Sequence, residues 1–470
     1  MATMALDKHE VDLTKGPILR MLIRFAIPII FANVLTLLFH AADIATLRFM
    51  VGGDAVAAVS STGSLTSLFI NFFIGFSAGA SVVLSKCVGA KDVNKARKVV
   101  GTAISFSLIA GVFIMIVGWF GAETFLKWMN CEPELLPLST KYVRIYLLGA
   151  PIILFYNLGA GMLRAVGDSL RPMIYLAISG IANVGLNIFF IAVFNMTVEG
   201  VAIGTVVSQL ISSILILIAM RKSKGFSRLE YKHLRIHKKE LGEIVKIGLP
   251  TGLQSSFFSI SNILIQSTIN TFGKVAVEGA GGCAQLDAFI YTVGNSIANA
   301  SMSFVSQNVG ARNIDRVKKV IWTSIITAVC LQFAVGLLVV LLSKPLLSLF
   351  VETNGAYEFG RQRLLVMGIP YFLSGIMDTL ALSLRAMGKS TVSMISTLFF
   401  VCAFRIIWLK TFFLLNPTFI MIYISYPVSW VLNVLAHIFL IVPLIKKLGK
   451  EFAEKGETIK EEKLTEEIAR

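Results

Sequence analysis

The chain has 470 residues, 56% of them hydrophobic and only 15% charged, against about 45–50% apolar and 25% charged residues in ordinary soluble domains. That balance excludes a soluble globular enzyme and describes a polytopic membrane protein. The formal net charge of +16 does not signal a nucleic-acid partner, because the basic residues lie in short loops between apolar runs. Five scattered cysteines without a CxxC spacing exclude a disulfide framework and a zinc site as expectations.

The N-terminal stretch MATMALDKHEVDLTKGP is polar and mixed in charge, so no removable leader is expected there. Twelve apolar spans follow, at about 25–47, 55–84, 99–121, 144–163, 172–195, 199–220, 244–272, 281–308, 320–343, 364–384, 392–415 and 418–445. If both termini are cytoplasmic, the inside segments hold 32 of the 43 Lys and Arg residues and the outside loops nine. This bias supports the span count and the orientation.

The first span, Arg24 to Leu47, carries Pro28, Asn33, His40 and Asp43. A carboxyl at membrane depth costs about 2.5–3.5 kcal/mol on insertion scales. Asp43 therefore either reaches interfacial water or faces a water-filled cavity, where it binds a proton, a sodium ion or a cationic ligand. His40 is read as a core residue. Pro28 removes a helical hydrogen bond and offers the span a place to bend.

Span 4 carries Asn157, span 5 carries Asn183 and Asn187 four residues apart, and span 6 carries Thr205. Oxygen ligands from an Asp, amides and a hydroxyl suit a hard cation, and the same set also makes an ordinary buried polar network. In span 7, Gln254, Asn262, Gln266 and Asn270 repeat at multiples of four, as do Asp287, Tyr291, Asn295 and Asn299 in span 8. Such stripes cannot face lipid. They either line a cavity or join helices to one another; for Asp287 the cavity is the expected place. Asp378 in span 10 is the third acid within a span. Arg164 and Arg385, ending spans 4 and 10, read as interfacial anchors.

The chain repeats itself. Ser85-Lys86-Cys87-Val88-Gly89-Ala90-Lys91-Asp92 matches Ser306-Gln307-Asn308-Val309-Gly310-Ala311-Arg312-Asn313, and Leu163-Arg164-Ala165-Val166-Gly167-Asp168-Ser169 matches Leu384-Arg385-Ala386-Met387-Gly388-Lys389-Ser390, both at an offset of 221. Pro151 in Gly-Ala-Pro matches Pro370 in Gly-Ile-Pro. The expected fold is thus an all-α membrane protein with 12 transmembrane helices in two pseudo-symmetric six-helix lobes. The lobes cover 1–220 and 247–445, joined by a cytoplasmic linker, 221–246, and followed by a charged cytoplasmic tail, 446–470. The linker reads as solvated or as a helix lying on anionic lipid; the tail reads as a solvated helix or disordered. Parallel repeats of this kind are a transporter plan. No phosphate loop, catalytic triad or HExxH is present, so no enzyme activity and no ATP site are expected.

The first-span Asp in Ala-Ala-Asp-Ile, the paired Val-Gly-Ala motifs after spans 2 and 8, and the twin Leu-Arg-Ala-x-Gly motifs resemble the multidrug and toxic compound extrusion (MATE) family, in detail its DinF-like bacterial members. The resemblance implies an antiporter of the cytoplasmic membrane, exporting organic cations and amphipathic drugs against inward flow of H+ or Na+, with no other cofactor. Carried over by motif, Asp43 is the coupling carboxyl, a place where Na+ is one candidate ion, with Asn157, Asn183, Asn187 and Thr205 as its companions. Asp378 matches the span 10 acid of NorM-like members. Gln254, Asn262, Gln266, Asp287, Tyr291 and Asn295 complete a substrate or cation set in the second lobe. The expected partners are a small-molecule substrate and membrane lipid, with no nucleic acid, and the chain is expected to be a monomer. Two departures stand out: Asn187 where relatives often have Asp, and Arg48 where Gly is usual. The alternative is a lipid-linked precursor flippase. It requires a wide cationic cavity, whereas in-span acids are read as outnumbering in-span bases.

Overall fold

The computed structural model describes residues 7–129 and 131–468. Residues 1–6 of the N-terminal stretch and the last two residues of the tail lie outside the described residues. Every regular element among the described residues is helical. In chain order these are α1 (Ile18–Met50), α2 (Gly53–Ala90), α3 (Val93–Trp128), α4 (Leu136–Leu148), α5 (Ala150–Ala165), α6 (Leu170–Phe194), α7 (Val198–Lys222), α8 (Lys238–Asn270), α9 (Lys274–Gly310), α10 (Ile314–Leu341), α11 (Ser343–Leu347), α12 (Asn354–Met367), α13 (Phe372–Ala386), α14 (Ser390–Thr397), α15 (Phe404–Lys410), α16 (Phe412–Leu415) and α17 (Phe419–Ile468).

Among the described residues, eight helical segments are long and apolar enough to cross a membrane, α14 through α16 counting as one. Two bent pairs, α4 with α5 (50°) and α12 with α13 (53°), each make one more. The last two spans are α8 and α9, of 33 and 37 residues. They are long enough to cross but less uniformly apolar, because they carry the Gln, Asn and Ser stripes read from the sequence. The fourth and tenth spans therefore start earlier than 144 and 364, at Leu136 and Asn354, and break at Gly149-Ala150-Pro151 and near Pro370. Proline cannot donate to the preceding turn, which explains a break at the same landmark in each half. Pro28, in contrast, lies inside α1, which stays one helix.

The repeat is also visible in turn chemistry. Asp92 caps α3 by accepting from Lys95 N at 2.9 Å, and Asn313 caps α10 by accepting from Arg316 N at 3.0 Å. Lys91 and Arg312, the residues before each cap, share φ 57°. Short side-chain acceptors at these positions satisfy the free N–H groups of a helix start. Within α14–α15, residues Leu398–Ala403 form a π-helical turn.

Contacts divide the chain into two compact units, one of residues 1–12, 23–88 and 92–264, the other of residues 13–22, 89–91 and 265–470. In the first unit, Ala110, Ile114, Val143, Leu147 and Leu154 form one apolar core. Leu47, Ala55, Ile191 and Val201 belong to another. Segment 221–246 is docked on this unit rather than free. Phe226 and Leu229 are buried, Glu10 accepts from Phe226 N, Ser227 N and Ser227 Oγ, and Glu243 pairs with Lys95 at 2.8 Å. A carboxylate that collects several donors holds a loop which composition alone reads as solvated. The tail continues α17 as helix through Ile468.

Candidate functional site

In α1, Asn33, Thr36, His40 and Asp43 follow one another at three- and four-residue intervals, which puts them on one helix face. Asn33, Thr36 and His40 line a cavity of about 600 Å³ inside the first unit, whose wall also includes Tyr146, Asn157, Arg164 and Gln209. Asp43 faces a smaller pocket of about 70 Å³, sharing Thr36, His40, Thr205 and Gln209 with the larger cavity. The volume of the larger cavity lies in the range of small-molecule sites.

Around Asp43 the polar groups come from α6 and α7. Asn187 Nδ2 donates to Asp43 Oδ1 at 2.6 Å. Asn183, one turn earlier, donates from Nδ2 to Thr205 Oγ1 at 3.3 Å. Gly204 makes room for this network: a Cβ there would fall 2.1 Å from Asn187 Oδ1. Asn183 Oδ1, Asn187 Oδ1 and Gln209 Oε1 are buried acceptors that receive no hydrogen bond. A carboxylate beside acceptors without donors is an oxygen-rich set with room for a cation or a proton donor. Asn157 sits on the wall of the larger cavity, its Nδ2 donating to Ile153 O at 2.9 Å.

The second unit holds a separate polar group. Asn295 Nδ2 lies 3.1 Å from Tyr291 Oη and 3.4 Å from Asp378 Oδ2. Asp287, one turn before Tyr291, is 3% exposed. Its Oδ2 accepts from Arg363 Nε at 2.9 Å and lies 2.7 Å from Arg363 Nη2. Arg363 also donates to Ala280 O and covers the Tyr423 ring, 4.9 Å from its centroid.

The structure thus brings Asp43, Asn183, Asn187 and Thr205 together, with Asn157 on the adjoining wall, and separately gathers Tyr291, Asn295 and Asp378. Asp287 is bound to Arg363. Gln254 and Asn262 fall in the part of α8 that belongs to the first unit, Gln254 buried and Asn262 exposed. Gln266 is exposed and donates to Asn270 Oδ1 at 3.0 Å.

Several readings of the sequence change. His40 is exposed on the cavity wall rather than packed in the core; its α1 spacing with Asn33, Thr36 and Asp43 was the available signal. Arg164, at the end of α5, also lines the cavity. Arg363, which the expected tenth span at 364–384 leaves just outside, lies in α12 and pairs with Asp287. Arg405 is 4% exposed, donating to Ser429 Oγ and stacked over Tyr426. With Arg164, Arg363, Arg385 and Arg405 all in spans, acids do not outnumber bases there. Gln209, four residues after Thr205, was a missed wall residue with a legible spacing.

Twelve membrane-crossing helices in two repeated sets of six, with ionisable side chains facing a cavity inside one set, define a multi-pass membrane transporter rather than an enzyme. The sequence profile of the MatE family matches residues 28–189 and 250–409, and the chain belongs to that family. Among its relatives, it is 27% identical over 382 residues to the probable multidrug resistance protein YoeA of Bacillus subtilis, covering 80% of this chain and 82% of the relative. It is 24% identical over 388 residues to the multidrug export protein MepA of Staphylococcus aureus, covering 82% and 85%. Among solved structures it superposes on the outward-facing conformation of a multidrug resistance MATE family transporter of the MOP superfamily with a TM-score of 0.87 and 23% identity, covering 94% of this chain and 100% of the other.

Proposed function

We propose that the protein is a cation-coupled antiporter that exports amphipathic drugs, organic cations among them, with H+ or Na+ as the coupling ion at Asp43. The observation that carries this reading is the Asp43 carboxylate held by Asn187, next to amide oxygens that receive no donor. A proton or Na+ arriving there neutralises the carboxylate and releases Asn187 for another partner. That changes which conformation of the unit is favoured, and coupling of this kind is reciprocal: the ion weakens substrate binding by the same factor as substrate weakens ion binding. Pro28, on the same helix and on the cavity wall, leaves α1 one hydrogen bond short at the place where the helix would bend. Asp378 with Asn295 and Tyr291 supplies a second acidic group in the other unit. Asp287 is committed to Arg363 and is expected to act through it in holding α12 rather than in binding an ion.

The names of the relatives, multidrug resistance and multidrug export proteins, support the drug-export part of the proposal. The DinF-like branch, a cytoplasmic-membrane location with both termini inside and a monomeric state are part of the same reading. The flippase alternative requires a wide cationic site for a pyrophosphate; one guanidinium on the wall of a cavity of about 600 Å³ does not supply it.

The test is efflux of rhodamine 6G, a fluorescent organic cation, from everted vesicles under an imposed proton or sodium gradient, wild type beside Asp43→Asn. One gradient is expected to drive efflux and the variant to lose it, by about tenfold or more, since a hydrogen-bonded charge contributes about 1.5–3 kcal/mol. Undiminished pumping by Asp43→Asn would move coupling to Asp378, and no movement under either gradient would refute the antiporter reading.

A further inference from the structure

Among the described residues that line the 600 Å³ cavity, Arg164 alone carries a fixed charge, and none is an Asp or a Glu. Asp43 opens instead onto the smaller adjoining pocket. Among the described residues the Arg164 side chain makes no hydrogen bond and no ion pair; the neighbouring Tyr156 hydroxyl donates instead to Pro172 O at 3.4 Å. A guanidinium held on the wall of an internal cavity without a counter-charge is costly, and arginines in spans face a partner or a substrate path.

The internal repeat shows what this arginine lacks. Arg385 ends α13 as Arg164 ends α5. Seven residues before Arg385, two turns back on the same face, stands Asp378, which interacts electrostatically with it. Seven residues before Arg164 stands Asn157, neutral and with its Nδ2 turned to Ile153 O. The second unit supplies the counter-charge from its own helix, and the first unit does not. The two halves keep the arginine and differ in the acid.

We propose that the first-unit cavity recognises an anionic group, a carboxylate or a phosphate on an amphipathic molecule, at Arg164. The site favours zwitterionic or anionic amphipaths over their purely cationic analogues. A planar guanidinium binds either oxyanion through two parallel N–H donors. The proposal rests on the efflux reading above and narrows its substrate class, and it shifts the emphasis away from simple organic cations.

The test uses two dyes that differ in one ester. Rhodamine 19 bears a free carboxylate, and rhodamine 6G is its ethyl ester. Binding of each to the purified full-length protein in phosphatidylcholine nanodiscs is followed by fluorescence polarisation. Wild type is expected to bind rhodamine 19 more tightly. Arg164→Gln should weaken rhodamine 19 by about ten- to hundredfold and change rhodamine 6G less than about twofold, while Arg164→Lys keeps part of the preference. Asn157→Asp, which copies the arrangement of α13, should lower rhodamine 19 binding in the same direction and decides the matter if Arg164→Gln fails to fold. Including phosphatidylglycerol separates the two sources of the anion. Competition with rhodamine 19 that disappears in Arg164→Gln assigns the site to a lipid phosphate, and absence of competition assigns it to a soluble carboxylate. Preference for the ester, or equal losses for both dyes in Arg164→Gln, overturns this proposal and leaves the efflux reading standing. Binding of neither dye overturns this proposal, whereas failure of the efflux reading is read separately, from the vesicle assay.

Discussion

The side chains that set this protein apart are charges placed where apolar ones are cheaper. Asp287 and Arg363, 76 residues apart, meet at 2.7 Å with 4% and 13% of their side chains exposed. A buried pair adds little stability over an apolar pair of the same size, but removing one member strands the other, at a cost of about 3–5 kcal/mol. Arg363→Met is therefore expected to lower the midpoint of thermal unfolding of the detergent-solubilised protein markedly. Asp287→Asn combined with Arg363→Met should recover most of that loss. A double variant as unstable as the single one would mean that Arg363 acts through Ala280 O and Tyr423 instead. Neither residue's partner was legible in the sequence: Asp287 stood out as an acid in a span, while Arg363 sat where hydropathy reads a loop. The four-residue spacing of Asn183 and Asn187 was legible, because it is set by the helix itself.

At the level of helices, the bent spans are the main departure from straight rods. Pro151 and Pro370 mark both breaks, and the neighbouring helix of each half meets its break with a glycine. A Cβ on Gly111 of α3 would lie 2.4 Å from Pro151 Cα, and one on Gly336 of α10 would lie 2.3 Å from Gly368 O. Close backbone approach through small residues is how helices pack when lipid is as apolar as their side chains. Gly111→Val and Gly336→Val should each lower the unfolding midpoint, as overpacking costs about 1–3 kcal/mol. An unchanged midpoint for both would show that the bends have space to spare. The prolines announce the breaks in the sequence. The glycines do not, since nothing local distinguishes Gly111 from other glycines of α3. The polar composition of α8 and α9 likewise disguises two spans, although their length and stripes show in the sequence.

On the scale of the whole chain, the two repeated halves and the two packed units have different boundaries. Residues 13–22 and 89–91 belong to the unit of residues 265–470, and α8 through Leu264 belongs to the unit of the first half. Leu13 N donates to Gln307 Oε1 at 3.0 Å and Arg316 Nη2 donates to Lys15 O at 2.6 Å, so the residues leading into α1 are held by second-half side chains. The distribution of 32 of 43 basic residues predicts that both ends of the chain are cytoplasmic. Green fluorescent protein fused after Arg470 is expected to fluoresce in cells, and an expressed but dark fusion would place the C-terminus outside.

The sequence alone determined that this is a membrane protein of twelve spans in two repeated sets and, by its motifs, the family. Hydropathy, turn residues and repeat spacing are local properties, and each can be read from a window of a few turns. Only the tertiary structure decided which polar faces meet: Asn187 on Asp43 across 144 residues, Arg363 on Asp287, and Arg164 on a cavity wall with no acid beside it. Those contacts depend on how whole helices rotate and bend against one another. Many side chains share in setting that rotation, and no single stretch of the chain encodes it.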